Sequence, residues 1–124
     1  MNILLVEDNA LNSELARDLL EMGGHEVTLA TNGASLRQLL SSGLRADIVL
    51  MDILLPDANG VDLLAEVKAT RELAQVPVVA LTAQALAGDE ARLRAAGFVA
   101  VITKPIDTRG FEPRVRELAR ARAR

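Results

Sequence analysis

The stretch Ile48-Val49-Leu50-Met51-Asp52 places four apolar residues directly before a carboxylate, with Asp47 ahead of it and the turn-forming residues 56–60 behind it. A short, continuous apolar run between turn signals is typical of a strand that is buried on both faces. Asp52 would then be held at the carboxyl end of a central strand, where open α/β sheets bind their ligands. Most buried strands do not end at a catalytic or ligand-binding residue, so the role of Asp52 depends on which other residues reach the same edge of the sheet.

Length and composition restrict the kind of protein this is. The chain has 124 residues, and we expect one domain over residues 1–124. A net charge of -3 argues against a nucleic-acid-binding surface spread over the whole domain, and the lack of cysteine excludes disulfides and thiolate metal sites. No apolar run approaches the roughly 18 residues of a membrane span, and the N-terminus lacks the basic region of a signal peptide. We therefore expect a cytoplasmic domain with no membrane or nucleic-acid partner.

Apolar patterns predict five strands, at residues 3–6, 25–30, 47–52, 77–82 and 98–103. In the second strand, Val27 and Leu29 alternate with polar residues, which is typical of a half-exposed strand at the edge of a sheet. The third strand, which ends at Asp52, is apolar without alternation and is expected to be central.

Helices are predicted between the strands and after the last one. The fourth is short, from Ala87 to Ala96, and Pro113 must lie in the first turn of the fifth, where its missing N–H is harmless. The other apolar stripes are Leu11, Leu15, Leu19 and Met22 in the first helix; Leu36, Leu39 and Leu40 in the second; Val61, Leu64 and Val67 or Lys68 in the third; and Phe111, Val115 and Leu118 in the fifth.

This alternation of strands and helices predicts a parallel sheet with helices on both faces. For five strands the flavodoxin-like order 2-1-3-4-5 fits, because it makes the second strand an edge and the third strand central. The predicted fold is therefore α/β, a three-layer, doubly wound (βα)5 flavodoxin-like domain.

Candidate site residues lie at the carboxyl ends of four of the five predicted strands, and in a parallel sheet all of these strand ends lie on one edge. The first and third strands are neighbours at the point where the strand order reverses, so their carboxylates are expected to face one shallow cleft. The residues at this edge are Glu7, Asp8, Asp52, Thr82 and Lys104.

Three carboxylates at this edge require a cation. At about 4 Å and an effective dielectric constant near 20, each pair repels by roughly 4 kcal/mol before screening. Hard oxygen ligands without His or Cys favour Mg²⁺ over zinc. Mg²⁺, the Lys104 ammonium and a hydroxyl around Asp52 are typical of a phosphoryl site, and an aspartate can itself be the nucleophile that forms an acyl phosphate.

Four motifs carry a resemblance to a known family: Leu5-Val6-Glu7-Asp8-Asn9, Val49-Leu50-Met51-Asp52 with Leu55-Pro56 and Gly60 after it, Ala80-Leu81-Thr82-Ala83, and Thr103-Lys104-Pro105. With them the chain resembles the CheY-like response-regulator receiver domains of two-component signalling, over essentially its whole length. Residues 81–89 and the segment Lys104-Pro105-Ile106-Asp107 are most similar to the corresponding parts of single-domain cell-division (DivK-like) regulators and of receivers of hybrid kinases.

The resemblance implies a role for each residue of the cluster. Asp52 would accept a phosphoryl group from a kinase phosphohistidine, and Asp8 and Asp52 would ligate Mg²⁺ together with the backbone carbonyl of Leu54. Glu7 would act mostly through a metal-bound water. The remaining implied roles are hydrogen bonds to phosphoryl oxygens from Lys104, Thr82 and the backbone N–H of Ala83, and tuning of hydrolysis by Leu54 and Gln84.

One position departs from the family pattern. The family usually places Tyr or Phe three residues before the lysine, where the ring acts as a switch coupled to the threonine, and this chain has Val101 there. We therefore expect activation to depend on movement of residues 82–88 more than on an aromatic switch. We also expect the Lys104-Pro105 bond to be cis, because the chain must turn sharply there while Lys104 is directed into the cleft, and only X–Pro bonds adopt cis at a cost near 1 kcal/mol. The resemblance implies a cis bond as well.

The resemblance also implies partners. They would be a sensor histidine kinase or a histidine phosphotransfer protein, and a downstream protein bound by the face of the fourth helix, fifth strand and fifth helix. The domain would be a monomer or weak dimer without an output domain. It would not be an enzyme acting on a separate substrate, but would catalyse only its own phosphorylation and dephosphorylation.

Three alternatives remain. The chain could be a receiver domain excised from a hybrid histidine kinase, although Met1 immediately before the first strand favours a free-standing protein. It could be a Mg²⁺-dependent phosphatase with an Asp nucleophile, but Leu54 stands where such an enzyme needs a second Asp. It could be a phosphate-independent binding module, against which the complete site argues.

Several other polar residues are expected to lie outside the site. Asp57 and Asp62 follow Asp52 closely in the sequence, but they fall in a turn and in an early helical position. His25 is expected at the surface, at the opposite end of the sheet. The Arg-rich C-terminal helix is expected to be solvated rather than to bind an acidic partner.

Overall fold

Strands and helices alternate along the chain in the computed structural model, which describes residues 1–83 and 88–123, with side chains through residue 121. The strands are β1 (Asn2–Val6), β2 (Glu26–Ala30), β3 (Ile48–Asp52), β4 (Val78–Thr82) and β5 (Ala100–Thr103). The α-helices are α1 (Ala10–Met22), α2 (Gly33–Ser41), α3 (Gly60–Ala69), α4 (Asp89–Ala96) and α5 (Phe111–Ala123), with a 3₁₀ turn at Arg71–Leu73. Within these described ranges, none of the helices is both long and apolar enough to cross a membrane.

All five strands are parallel and pair in the order β2-β1-β3-β4-β5. The flavodoxin-like fold predicted from the alternation of patterns is thus confirmed. The half-exposed β2 lies at the edge, and every residue of β3 is buried. The physical reason is that β2 offers only one apolar face, whereas β3 can be covered on both sides.

Two apolar layers cover the two faces of the sheet. Along β1, Ile3 and Leu5 point to the layer that contains α1 and α5, and Leu4 and Val6 point to the layer of α2, α3 and α4. This alternation is the two-residue period of a strand with both faces buried. The layers are filled mainly by Leu, Val, Ile and Ala, as the near-absence of aromatic residues required.

The buried side of α1 differs from the predicted one. Leu11 and Met22 are 78% and 84% exposed, and Ser13, Ala16 and Leu20 face the core instead. Both sets recur at helical spacing, so periodicity alone does not choose between them. The small side chains of Ser13 and Ala16 leave little apolar area to detect in the sequence, although both are buried together with Leu20.

Two elements in the second half of the chain differ from the prediction at their first residues. Helix α4 begins at Asp89 after Gly88, which has φ of 91°, and the predicted start at Ala87 lies outside the described residues. Strand β5 begins at Ala100 rather than at residue 98. Phe98 is nonetheless buried in the core, where it packs from the turn that follows Gly97.

His25 is not a surface residue, so this prediction is wrong. Its side chain is only 8% exposed, and its Nε2 lies 2.8 Å from an oxygen of Glu112 at the start of α5. Glu112 reaches it by lying over Gly23, where an added Cβ would be 2.8 Å from the Glu112 side chain. The side chain is covered because α5 packs against the turn between α1 and β2, a contact between segments distant in the sequence.

Gly60 allows α3 to begin against the end of β3. A Cβ at Gly60 would lie 2.7 Å from the Cα of Ile53 and 2.8 Å from the carbonyl oxygen of Asp52. We expect Gly60→Ala to destabilise the domain by about 1–3 kcal/mol, because main-chain atoms cannot move aside without distorting the fold. Urea unfolding followed by circular dichroism measures this change.

The control is Gly23→Ala, whose added methyl meets only the movable end of the Glu112 side chain. It is expected to cost less than Gly60→Ala. Equal losses of stability in the two variants would contradict the argument from main-chain contact.

Candidate metal centre

Strand register brings two carboxylates to the same level of the sheet edge. Val6 pairs with Met51, so Glu7 and Asp52 are the next residue on each of two adjacent strands. Both are buried, with 1% and 6% of their surface exposed. Asp8 follows Glu7 and is exposed at the mouth of the same cleft. The predicted convergence of strand ends therefore exists in the structure.

Lys104 follows β5, the edge strand on the other side of β4 from β3, and its side chain reaches the two buried carboxylates from there. Its Nζ lies 2.6 Å from Glu7 Oε2 and 3.0 Å from Asp52 Oδ2. The backbone N–H of Lys104 donates to the carbonyl of Thr82 at 2.8 Å, so β5 keeps its alignment with β4 beyond its last paired residue. The Lys104-Pro105 peptide bond is cis, as predicted from the sequence.

Burial and mutual contact shift the pKa values of this group. The pKa of Glu7 is raised, first by burial and then by the neighbouring Asp52, against the opposing effect of Lys104. Burial would lower the pKa of Lys104, but its contacts with the carboxylates of Glu7 and Asp52 together outweigh burial and raise it. The proton affinity of Glu7 is therefore raised, and desolvation contributes more to this rise than repulsion by Asp52 does.

The arrangement fits a hard divalent cation. Glu7, Asp8 and Asp52 each offer an oxygen atom, and these atoms lie within 4.8 Å of one another. Glu7 Oε2 is buried and makes no well-aligned hydrogen bond among the described residues, although the Lys104 ammonium lies beside it. Three carboxylates and one ammonium leave an excess of two negative charges, which a cation would offset.

A tight turn after β3 carries Leu54 into the cleft. The N–H of Leu54 donates to Asp52 Oδ1 at 3.0 Å, and Leu54 lies opposite Asn59 in an antiparallel bridge. The two backbone hydrogen bonds of this turn join Gly60 to Ile53 and Leu55 to Ala58. Leu54 and Asn59 thus form a non-hydrogen-bonded pair, in which the N–H and C=O groups of each residue point away from the other. The carbonyl of Leu54 is therefore not needed to close the turn.

The same turn exposes an apolar side chain beside the carboxylates. The side chain of Leu54 is 72% exposed, while Thr82 is buried on the other side of the cleft and Ala83 is exposed. Gln84, expected to tune hydrolysis, lies outside the described residues. The open cleft has a volume of about 770 Å³ and is lined by Glu7, Asp8, Asn9, Ala10, Asn12, Asp52, Leu54, Thr82, Ala83, Lys104 and Pro105.

Asn9 supports the cleft and was not among the predicted site residues. Asn9 caps the first turn of α1 by accepting from the N–H of Asn12, and its own N–H donates to Glu7 Oε1 at 3.2 Å. An Asn directly before a helical pattern is a recognisable cap, so this signal was present in the sequence. Asp57 lies outside the cleft, as expected, but its carboxylate binds the start of α2.

Comparison with known proteins agrees with this arrangement. The sequence profile described as the response regulator receiver domain matches residues 3–116. The polar-differentiation response regulator DivK of Brucella anthropi is 42% identical over 110 residues, which cover 89% of each chain.

Two solved structures are also similar. The receiver domain of a sensor histidine kinase from Pseudomonas aeruginosa PAO1, with a magnesium ion coordinated in its active-site cleft, is 33% identical, with a TM-score of 0.81 over 95% of this chain and 96% of that one. The receiver domain of a signal transduction histidine kinase from Syntrophus aciditrophicus is 29% identical, with a TM-score of 0.83 over 97% of this chain and 90% of that one. With the fold, the acidic cluster and the profile in agreement, this chain belongs to the response-regulator receiver domains.

Proposed function

We propose that Asp52 is the phosphoryl acceptor of this receiver domain and that the reaction requires Mg²⁺. The observation that carries the proposal is that the Asp52 carboxylate is bound by both Leu54 and Lys104 and also belongs to the acidic cluster. Its Oδ1 accepts from Leu54, its Oδ2 accepts from Lys104, and its carboxylate belongs to the cluster with Glu7 and Asp8. In the transfer, a carboxylate oxygen attacks the phosphorus of a phosphohistidine, and the bond from phosphorus to the histidine nitrogen breaks.

Three protein groups would hold the metal in this proposal. Asp8 and Asp52 would bind it directly, the carbonyl of Leu54 would be a third ligand, and Glu7 would act through a metal-bound water. The outward-directed carbonyl of Leu54 and the excess negative charge support this assignment. When bound, Mg²⁺ would neutralise charge on the phosphoryl oxygens.

The other groups of the cleft would act on the phosphoryl oxygens. Lys104 lies within reach, because its ammonium already contacts Asp52 at 3.0 Å. The hydroxyl of Thr82 would bind a second oxygen, and the backbone N–H of Ala83 a third. In this proposal the domain catalyses only its own phosphorylation and dephosphorylation, and has no separate substrate.

Receiver domains in general receive their phosphoryl group from a histidine kinase or a histidine phosphotransfer protein. For this chain we propose that residues 1–124 act as a single cytoplasmic receiver domain, monomeric or weakly dimeric, that signals through the face of α4, β5 and α5. Both a DivK regulator and receiver domains of histidine kinases are among its relatives, so the proposal holds equally for a domain of a hybrid kinase. A phosphatase is disfavoured, since Leu54 occupies the position of the required acid.

Asp52→Asn is the direct test of the acceptor. Incubation of the wild type with a small-molecule phosphodonor and Mg²⁺ is expected to add one phosphate that hydroxylamine removes, because an acyl phosphate is labile to this nucleophile. The variant is expected to add none, as measured by intact mass. Asp18→Asn, which removes the same charge from an exposed position of α1, serves as the control and is expected to behave as the wild type. Equal phosphate on Asp52→Asn and wild type would refute the assignment.

Asp8→Asn tests the metal site. Without metal, removal of one of three neighbouring carboxylates is expected to raise the melting temperature, because it relieves repulsion between like charges. The affinity for Mg²⁺ is expected to fall by at least about tenfold, since loss of even an outer partner of a ligand costs that much. Melting curves in chelator and in Mg²⁺ measure both effects. A variant less stable than wild type in chelator would contradict the argument from repulsion.

Thr82→Ala and Val101→Ala test how the site communicates with α4. Beryllofluoride, a phosphoryl mimic, is expected to shift the amide resonances of α4 in the wild type and in Val101→Ala, but much less in Thr82→Ala. The reason is that a ligand shifts a conformational equilibrium only through contacts that differ between the two states, and Thr82 would make that contact. Nuclear magnetic resonance suits a chain without Trp or Tyr. Loss of the shifts in Val101→Ala would instead make this position the switch.

A further inference from the structure

The turn of residues 53–60 has a second anchor on the side away from the metal cluster. At its base, the N–H of Gly60 donates to the carbonyl of Ile53 at 2.7 Å. At its tip, Asp57 Oδ1 accepts from the N–H of Gly33 at 2.7 Å, and Asp57 Oδ2 accepts from the N–H of Ala34 at 3.1 Å. The turn that carries Leu54 is therefore bound to another element at its tip as well as being closed at its base.

The partner of Asp57 is the first turn of α2. Gly33 and Ala34 are the first two residues of this helix, whose N–H groups have no acceptor within the helix. The next N–H, that of Ser35, is bound by the side chain of Asn32 in a capping box. The first three N–H groups of α2 therefore donate to two different acceptors, the Asn32 side chain and the Asp57 carboxylate. The positive end of the helix dipole favours the negative charge of Asp57.

The contact between the turn and α2 is close. A Cβ at Gly33 would lie 3.0 Å from the Cβ of Ala58 and 3.2 Å from Asp57 Oδ1. Gly33 is also buried. The absence of a side chain at Gly33 therefore lets the tip of the turn approach the helix closely enough for both hydrogen bonds.

The start of α2 is itself fixed relative to the metal cluster. The N–H of Glu7 donates to the carbonyl of Ala30 at 3.0 Å, and Ala30 ends β2 three residues before Gly33. Hydrogen bonds thus run from Glu7 to the end of β2, and from α2 through Asp57 back to the turn. Leu54 in the same turn donates to Asp52. Both buried carboxylates are therefore connected to the start of α2 by hydrogen bonds, Glu7 through the end of β2 and Asp52 through the turn.

We propose that Asp57 is a positioning residue of the magnesium site, which holds the 53–60 turn against α2 so that the carbonyl of Leu54 is in place before the cation binds. The inference rests on the proposed function, because it takes this carbonyl to be a ligand. Asp57 itself does not touch the cation. It reduces the reorganisation that binding would otherwise require of an exposed turn.

Asp57→Asn is the test. Asn keeps the size of the side chain but carries no charge for the helix terminus and has one acceptor oxygen instead of two. The dissociation constant for Mg²⁺, measured by titration of amide resonances, is expected to rise by about tenfold, the lower end of the loss caused by removing an outer partner of a metal ligand. Amide exchange at Gly33 and Ala34 is expected to accelerate in the same sample, which shows that the contact is broken.

Two controls separate this role from simpler effects. Asn32→Ala removes the other cap of α2 but keeps the Asp57 carboxylate, so it is expected to lower the melting temperature and to change Mg²⁺ affinity less than Asp57→Asn does. Asp62→Asn removes one exposed negative charge from the first turn of α3, and is expected to change Mg²⁺ affinity less than Asp57→Asn does.

Gly33→Ala perturbs the same contact from the helix side. Its methyl group is expected to push the turn away and to weaken Mg²⁺ binding in the same direction as Asp57→Asn, although Ala is the better helix former. Unchanged Mg²⁺ affinity in Asp57→Asn, with fast exchange at Gly33 and Ala34, would overturn the inference, as would equal losses in Asp57→Asn and either control. If the wild type binds no Mg²⁺, the proposed metal site fails as well, which distinguishes the two failures.

Discussion

Two buried carboxylates, Glu7 and Asp52, share the single ammonium group of Lys104, and the rest of the site depends on this contact. Without the ammonium, two negative charges would be held next to each other with little access to water. Such a pair of charges is tolerated only with a compensating partner. Lys104 provides half of the compensation, and the remaining excess of charge, together with Asp8, is what suits the site to a cation.

The parallel sheet keeps these charges together. Adjacent strands end at the same level, so the backbone of β1 and β3 holds Glu7 and Asp52 in place whether or not a ligand is present. A site preorganised in this way binds charge without a large cost of rearrangement. Leu54 is different, because it lies on a turn outside the sheet, and turns rely on contacts of their own. The bonds from Asp57 to α2 are such contacts.

The face that would transmit the signal is built differently from the site. Around the carboxylates, charges and hydrogen bonds determine the geometry, whereas Val101 in β5 packs against the apolar layer of α2, α3 and α4. The β-branched side chain of Val101 has few rotamers, and it has no hydroxyl group that could present a polar contact at the surface. Communication from the cleft to α4 would then pass through Thr82 and the main chain that follows it.

The sequence by itself determined the five strands, their order, the edge position of β2 and the convergence of Glu7, Asp52, Thr82 and Lys104. Buried strands have continuous apolar runs, and the rules of parallel sheets leave few arrangements of their ends. Only the tertiary structure decided which side of α1 is buried, because two sets of residues at helical spacing compete and packing against the sheet selects between them. It also decided the burial of His25 under Glu112 and the binding of Asp57 to α2. Each of these contacts joins residues distant in the sequence, and no local pattern encodes it.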